Sequence, residues 1–148
     1  MSPCGNLLST HKECRCSDVE VNRYKGRLSE PFLDRIDLYV TMTDVNKNDR
    51  SDVSSLEFHE QVLKAFKMQK QRAQESLNGK LEDEILNRYC ILNEESQMVL
   101  DKAIVNLNLS FRSINKVKKV ARTIADLEQS ETIQRIHLME ALSYRKRA

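Results

Sequence analysis

The stretch that most limits what this chain can fold into runs from residue 110 to residue 127. Ser110 offers the hydroxyl of a helix N-cap, able to accept from a free amide of the first turn. Behind it Ile114, Val117, Ala121, Ile124 and Ala125 recur at steps of three and four, which puts them on one face of an α-helix. By the same count Arg112, Lys116 and Lys119 share the opposite face. The pattern predicts a helix over residues 110–128 with a buried back. Its front is either a solvated basic face, the ordinary meaning of such a pattern, or a lid that reaches an arginine toward an anion.

The remaining sequence gives that helix neighbours of its own kind. Residues 54–57 read as a cap for a long helix with Phe58, Val62, Phe66, Ala73 and Leu77 as its stripe, stopped at Asn78-Gly79 by a left-handed glycine. A short helix is expected over residues 81–89. Asn93 caps another, with Leu100, Ala103, Ile104 and Leu107 facing inward. A last helix after Ile133 should bury some combination of Ile136, Met139, Ala141 and Leu142, with His137 a packing residue. Cys90 reads as a small buried hydrophobe. The chain of 148 residues has only 3 Gly and 2 Pro, 40% apolar and 31% charged residues and no Trp, which suits a largely helical protein with a modest core.

Upstream the pattern changes. Ser17-Asp18-Val19-Glu20 is a capping box opening a helix to about residue 28, and Pro31 opens a short turn where its missing amide is harmless. Over residues 36–43, Ile36, Leu38, Val40 and Met42 alternate with Asp37, Tyr39, Thr41 and Thr43, the period of a β-strand. Residues 44–55 are polar and rich in turn formers, hence a linker. The expected organisation is therefore residues 1–43, a linker over 44–55, and a bundle of four or five helices over 56–148.

Two phrases give this arrangement a context. Phe32-Leu33-Asp34-Arg35-Ile36-Asp37 and Val120-Ala121-Arg122-Thr123-Ile124-Ala125-Asp126-Leu127 resemble the C-terminal part of magnesium-chelatase-like AAA+ ATPases of the ComM type, linked to DNA uptake and recombination. Ser143-Tyr144-Arg145 resembles the end of the same helical lid. The resemblance implies a mainly α fold in which residues 1–43 are a remnant of the α/β nucleotide-binding core and residues 56–148 are the lid. It also implies ATP and magnesium as cofactors of a longer parent, a homo-hexameric ring, and a motor acting on DNA, with magnesium insertion into a porphyrin as the family's other task.

Phosphoryl transfer needs positive charge aimed at the γ-phosphate, and the planar, permanently charged fork of arginine supplies it best. By resemblance Arg35 matches the arginine finger, donated to a neighbouring subunit, and Arg112 matches the sensor-two arginine of the lid. Arg27 and Arg122 are the second choices. The plain alternatives are a surface pairing of Arg35 with Asp34, Asp37 or Glu30, contributing at most ~1 kcal/mol, and an exposed Arg112 in a first helical turn, a placement the helix dipole disfavours. No Gly-x-x-x-x-Gly-Lys-Ser/Thr loop occurs in the sequence, so ATP hydrolysis would need a missing Walker-containing domain. The competing reading is a free-standing helical module that binds DNA or protein, for which Lys64, Lys67, Lys70, Lys80, Lys116, Lys118 and Lys119 are the phosphate contacts.

Cys4, Cys14 and Cys16 are spaced C-x9-C-x-C, three thiols where a closed structural zinc site takes four ligands. Ser2 stands where similar ATPases often carry a fourth cysteine, and His11 is a fallback ligand. On spacing alone an unmetallated loop of reduced thiols is favoured over zinc. Four cysteines without a secretory segment fit a reducing cytoplasm. No apolar run approaches the ~20 residues of a membrane span, and a net charge of +2 does not by itself claim a nucleic-acid partner.

Overall fold

The computed structural model describes residues 2–7, 9, 11–42, 45, 47–50 and 52–145. The chain divides into two compact units, the first within residues 1–51 and the second beginning at Asp52. Thr43, Asp44, Asn46 and Ser51 of the expected strand and linker, and residues 146–148 of the expected lid, lie outside the described residues.

Among its described residues the first unit holds two helices. Helix α1 spans Asp18–Lys25, and its capping box is complete: the Glu20 amide donates to Ser17 Oγ at 3.3 Å and the Ser17 amide donates to the Glu20 carboxylate at 2.9 Å. Helix α2 is a single turn, Glu30–Leu33. The expected strand is absent: residues 36–42 form no ladder, and Leu38, Val40 and Met42 are 49%, 65% and 80% exposed. Alternation fixes which face a strand would bury, but a strand forms only beside a neighbouring strand and against a layer that covers that face.

The second unit is five α-helices and one 3-10 turn among the described residues: α3 (Ser55–Gln71), the turn Asn78–Lys80, α4 (Asp83–Tyr89), α5 (Glu94–Leu107), α6 (Phe111–Leu127) and α7 (Arg135–Ser143). Helix α6 lies at the centre, against α3, α4, α7 and the 3-10 turn, while α5 packs on α7. Val117, Ala121 and Ala125 of α6 have no exposed surface, and the two alanines let neighbouring backbones come close. Leu81, Leu86, Leu100, Ile133 and Leu138 fill the space around them, each such burial worth about 1.5–3 kcal/mol relative to exposure. A parallel bridge between Leu92 and Ile133 and a bond from Ser96 Oγ to the Ile133 carbonyl (3.1 Å) tie the α4–α5 and α6–α7 connections together.

Three details differ from the sequence reading. Helix α3 stops at Gln71, not at Asn78-Gly79. The stop is a Schellman closure: the Gln74 amide donates to the Gln69 carbonyl at 3.2 Å and the Ala73 amide to the Lys70 carbonyl at 2.9 Å, with Ala73 left-handed at φ 53°. Its expected stripe faces water, Phe58, Val62 and Phe66 being 56%, 60% and 41% exposed, because the helix seats Ala65 and Gln69 inward instead. In α7 the buried residues are His137, Leu138, Ala141 and Leu142, whereas Ile136 and Met139 point outward. In α5, Leu100 and Ala103 are buried and Leu107 is exposed.

Candidate functional site

Arg112 occupies the second position of α6. The Ser110 hydroxyl accepts from the Ser113 amide at 3.1 Å, which fixes where the helix begins. The side chain of Arg112 is exposed and has no hydrogen-bond or ion-pair partner among the described residues. A guanidinium held at the positive end of a 17-residue helix is electrostatically under-compensated, and its donors are open to an anion.

Arg35 follows α2. Its backbone amide donates to the Phe32 carbonyl (3.0 Å) and its Nη1 to the Pro31 carbonyl (3.0 Å), so the turn made by Pro31 also positions the guanidinium. The Tyr39 hydroxyl donates to the Leu33 carbonyl and folds the next segment back on the same turn. Arg35 remains exposed. Arg27, the second choice, lies with its guanidinium 5.5 Å from the centre of the Tyr24 ring.

Arg122, the other second choice, is not available to a ligand. It is 1% exposed, with Nε donating to Asp126 Oδ1 (3.1 Å), Nη1 to the Glu131 carbonyl (2.8 Å) and Nη2 to the Ser130 carbonyl (2.5 Å). Burial pulls its pKa down, and the neighbouring Asp126 carboxylate opposes that pull. Asp126, fully buried, also takes a two-pronged pair from Arg72 (2.5 and 2.7 Å) and a bond from Asn78 Nδ2 (2.7 Å). Gln74 Nε2 donates to Asn78 Oδ1 at 2.9 Å, and the Asn78 amide donates to Gln69 Oε1 at 3.1 Å. This clasp joins the end of α3, the 3-10 turn and the end of α6. Sequence reasoning missed it, offering Arg122 only as the second choice for a sensor arginine. The available signal was the position of Arg122 and Asp126 beside Ala121 and Ala125, on the stripe that α6 buries.

His137 also serves the fold. Its Nδ1 accepts from the Gln134 amide at 3.0 Å, so its proton is on Nε2, 2.9 Å from the Glu128 carboxylate. Several candidate DNA-contacting lysines are engaged locally: Lys70 Nζ sits 5.4 Å from the Phe66 ring centre, Lys118 donates to Asn87 Oδ1 and Lys119 to the Gly79 carbonyl, both at 3.3 Å.

In the first unit the sulfurs of Cys4, Cys14 and Cys16 all lie within 4.8 Å of one another. The Ser2 hydroxyl (3.3 Å) and the Asn6 amide (3.5 Å) touch Cys4 Sγ, and they draw its pKa from 9.0 down to about 6. Cys16, facing Cys4, is pushed up to about 11. Among the described residues this is the one grouping of three or more His, Cys, Asp or Glu side chains with ligand spacing. Soft thiols do not suit magnesium, which takes oxygen ligands.

Each of the two units matches one segment of a magnesium-chelatase-type protein. Residues 52–145 match the family model described as magnesium chelatase, subunit ChlI C-terminal, and residues 1–50 match that of magnesium chelatase, subunit ChlI. The chain belongs to this family, on its ComM and YifB side. It is 39% identical over 150 residues to competence protein ComM of Haemophilus influenzae. It is 38% identical over 149 residues to the YifB proteins of Salmonella typhimurium and Escherichia coli. These alignments cover 97% of this chain but only 29% of each relative's length. No helix among the described residues is long and apolar enough to cross a membrane.

Proposed function

We propose that this chain is the lid and arginine-finger portion of a ComM-type AAA+ ATPase that couples ATP hydrolysis to the remodelling of DNA. The observation that carries the reading is that both family segments occur in order in one chain that is 39% identical to a competence protein over nearly all of its residues. In this reading Arg112 reaches from the second position of α6 to the γ-phosphate of ATP bound to its own subunit. Arg35 completes the site of the neighbouring subunit in a homo-hexamer. ATP supplies the bond to be broken, and the two guanidinium groups offset the charge that gathers on the phosphoryl oxygens as that bond loosens. Arg112 and Arg35 are exposed donors of the right kind for a phosphate. In this reading the metal and the phosphate-cradling loop belong to the Walker-containing domain. The resident compartment is the cytoplasm, and the polymer acted upon is DNA, by analogy with a competence protein.

The test is reconstitution. The chain is mixed with the Walker-containing part of a ComM relative and ATP turnover is measured. Arg35→Ala is expected to reduce turnover by about 10²-fold or more, against ~10³–10⁵ for arginine fingers generally. Arg112→Ala is expected to weaken nucleotide binding as well. Unchanged turnover with Arg35→Ala removes the finger assignment. No stimulation by the parent chain at all favours the second reading, a helical binding module, for which the exposed aromatic face of α3 is the supporting observation.

A further inference from the structure

We propose that Cys4, Cys14 and Cys16 hold a zinc ion as three thiolates, with the fourth position, beside the Ser2 hydroxyl, left to an exchangeable water. The inference stands apart from the ATPase reading and rests on the geometry of residues 2–16. A tetrahedral zinc with Zn–S bonds of about 2.3 Å places its sulfurs ~3.8 Å apart. Here Cys4 Sγ and Cys14 Sγ are 3.5 Å apart, and all three sulfurs fall within 4.8 Å of one another. That is the spacing of a ligand set, and all three cysteines are free of disulfides.

Among the described residues of the loop nothing else explains the convergence. The described residues among 2–16 contain neither helix nor strand. The backbone bonds described there are short-range turns, Gly5 to Ser2 and Ser9 to Asn6, both 3.1 Å. Leu7 is 36% exposed and supplies no apolar anchor. A loop without a hydrophobic interior closes on itself when a metal serves as its core, and the binding energy is then folding energy. Thiolates also select zinc over the hard cations magnesium and calcium.

Ser2 defines the character of the site. It is 4% exposed, with its Oγ 3.3 Å from Cys4 Sγ, so it sits at the rim of the thiol cluster. A neutral hydroxyl is a poor zinc ligand beside a thiolate, which leaves one coordination position open. The site is therefore weaker and faster to exchange than a four-thiolate one, and Ser2→Cys should close it.

The experiment is cobalt(II) titration of the reduced, chelator-treated full chain, followed by zinc competition. Expected is one cobalt per chain with the absorption of a tetrahedral thiolate site, displaced by zinc. Cys14→Ser and Cys16→Ser lose the signal and Cys90→Ser keeps it. Ser2→Cys raises zinc affinity tenfold or more. Cys14→His, which retains a ligand atom, restores binding and separates loss of a ligand from loss of folding. The inference is overturned if the reduced parent gives no tetrahedral cobalt spectrum, if Cys14→Ser leaves the spectrum unchanged, or if Ser2→Cys fails to tighten zinc.

Discussion

Helices α3 and α6 are both 17 residues long, both begin at a serine cap, and both end in a Schellman closure around a left-handed residue that is not glycine. They nevertheless bury opposite kinds of surface. Helix α6 buries the stripe its sequence advertises, and with it an arginine and an aspartate. Helix α3 leaves its aromatic stripe in water and buries an alanine and a glutamine. The difference lies at their far ends. Ala65, Gln69 and Arg72 are spaced i, i+4, i+7 on one face, and Arg72 pairs with Asp126 of α6. A desolvated, bidentate charge pair fixes the rotation of α3 about its axis more strictly than apolar matter does, since apolar burial is non-directional. An apolar stripe marks a face to be covered. It does not say by what.

The sharpest way to break this contrast is to remove the clasp. Asp126→Ala leaves Arg122 buried without its counter-charge and should cost the second unit about 3–5 kcal/mol, measured by urea denaturation. Alkylation of Cys90 gives an independent readout, because burial pushes that thiol up to about 11 and keeps it silent until the unit opens. A loss below 1 kcal/mol would mean that α3 is held by something other than Arg72.

A smaller, local effect distinguishes the two helix starts. The Glu57 carboxylate accepts from the Ser54 amide at 2.6 Å, which holds its pKa below the usual 4.5. Because the folded value is the lower one, its contribution is complete above pH 4.5 and is lost as pH falls through the folded value. The protection of first-turn α3 amides, measured relative to their intrinsic exchange rate at each pH, should therefore fall in acid. The first turn of α6, capped by Ser110 with no acidic residue, should not follow it. The smallest effect is expected on the bare face of α3: Phe58→Ser and Phe66→Ser should each change the stability of the isolated chain by no more than about 0.5 kcal/mol. A larger loss would show that these aromatics are covered in solution.

The legible parts of this fold are those set by neighbours in sequence. Ser17, Ser54, Asn93 and Ser110 each start a helix where side-chain chemistry says one should start, and the α6 stripe names its own buried face. Helix ends were harder to read. Ala73 and Gln129 adopt φ values of 53° and 57°, a conformation usually signalled by glycine, so the stop of α3 carried no visible mark. The clasp depends on Arg72 meeting Asp126 from 54 positions away, and no local pattern encodes that. The alternation of residues 36–42 was real but idle, since a strand needs a neighbour. At the candidate sites the spacing gave the arginines and cysteines as residues. Only the fold showed that Arg122 is consumed by its own helix end, and that Cys4 returns to Cys14 and Cys16.

The clasp also has a mechanical side. Asp126 is 14 residues beyond Arg112 on an unbroken helix, a rod of ~21 Å held at its far end by the clasp and near its start by the bond from Arg145 Nη2 to Ser113 Oγ at 2.9 Å. The position of Arg112 is thus referred, along one continuous helix, to the same buried charge pairs that fix the end of α3.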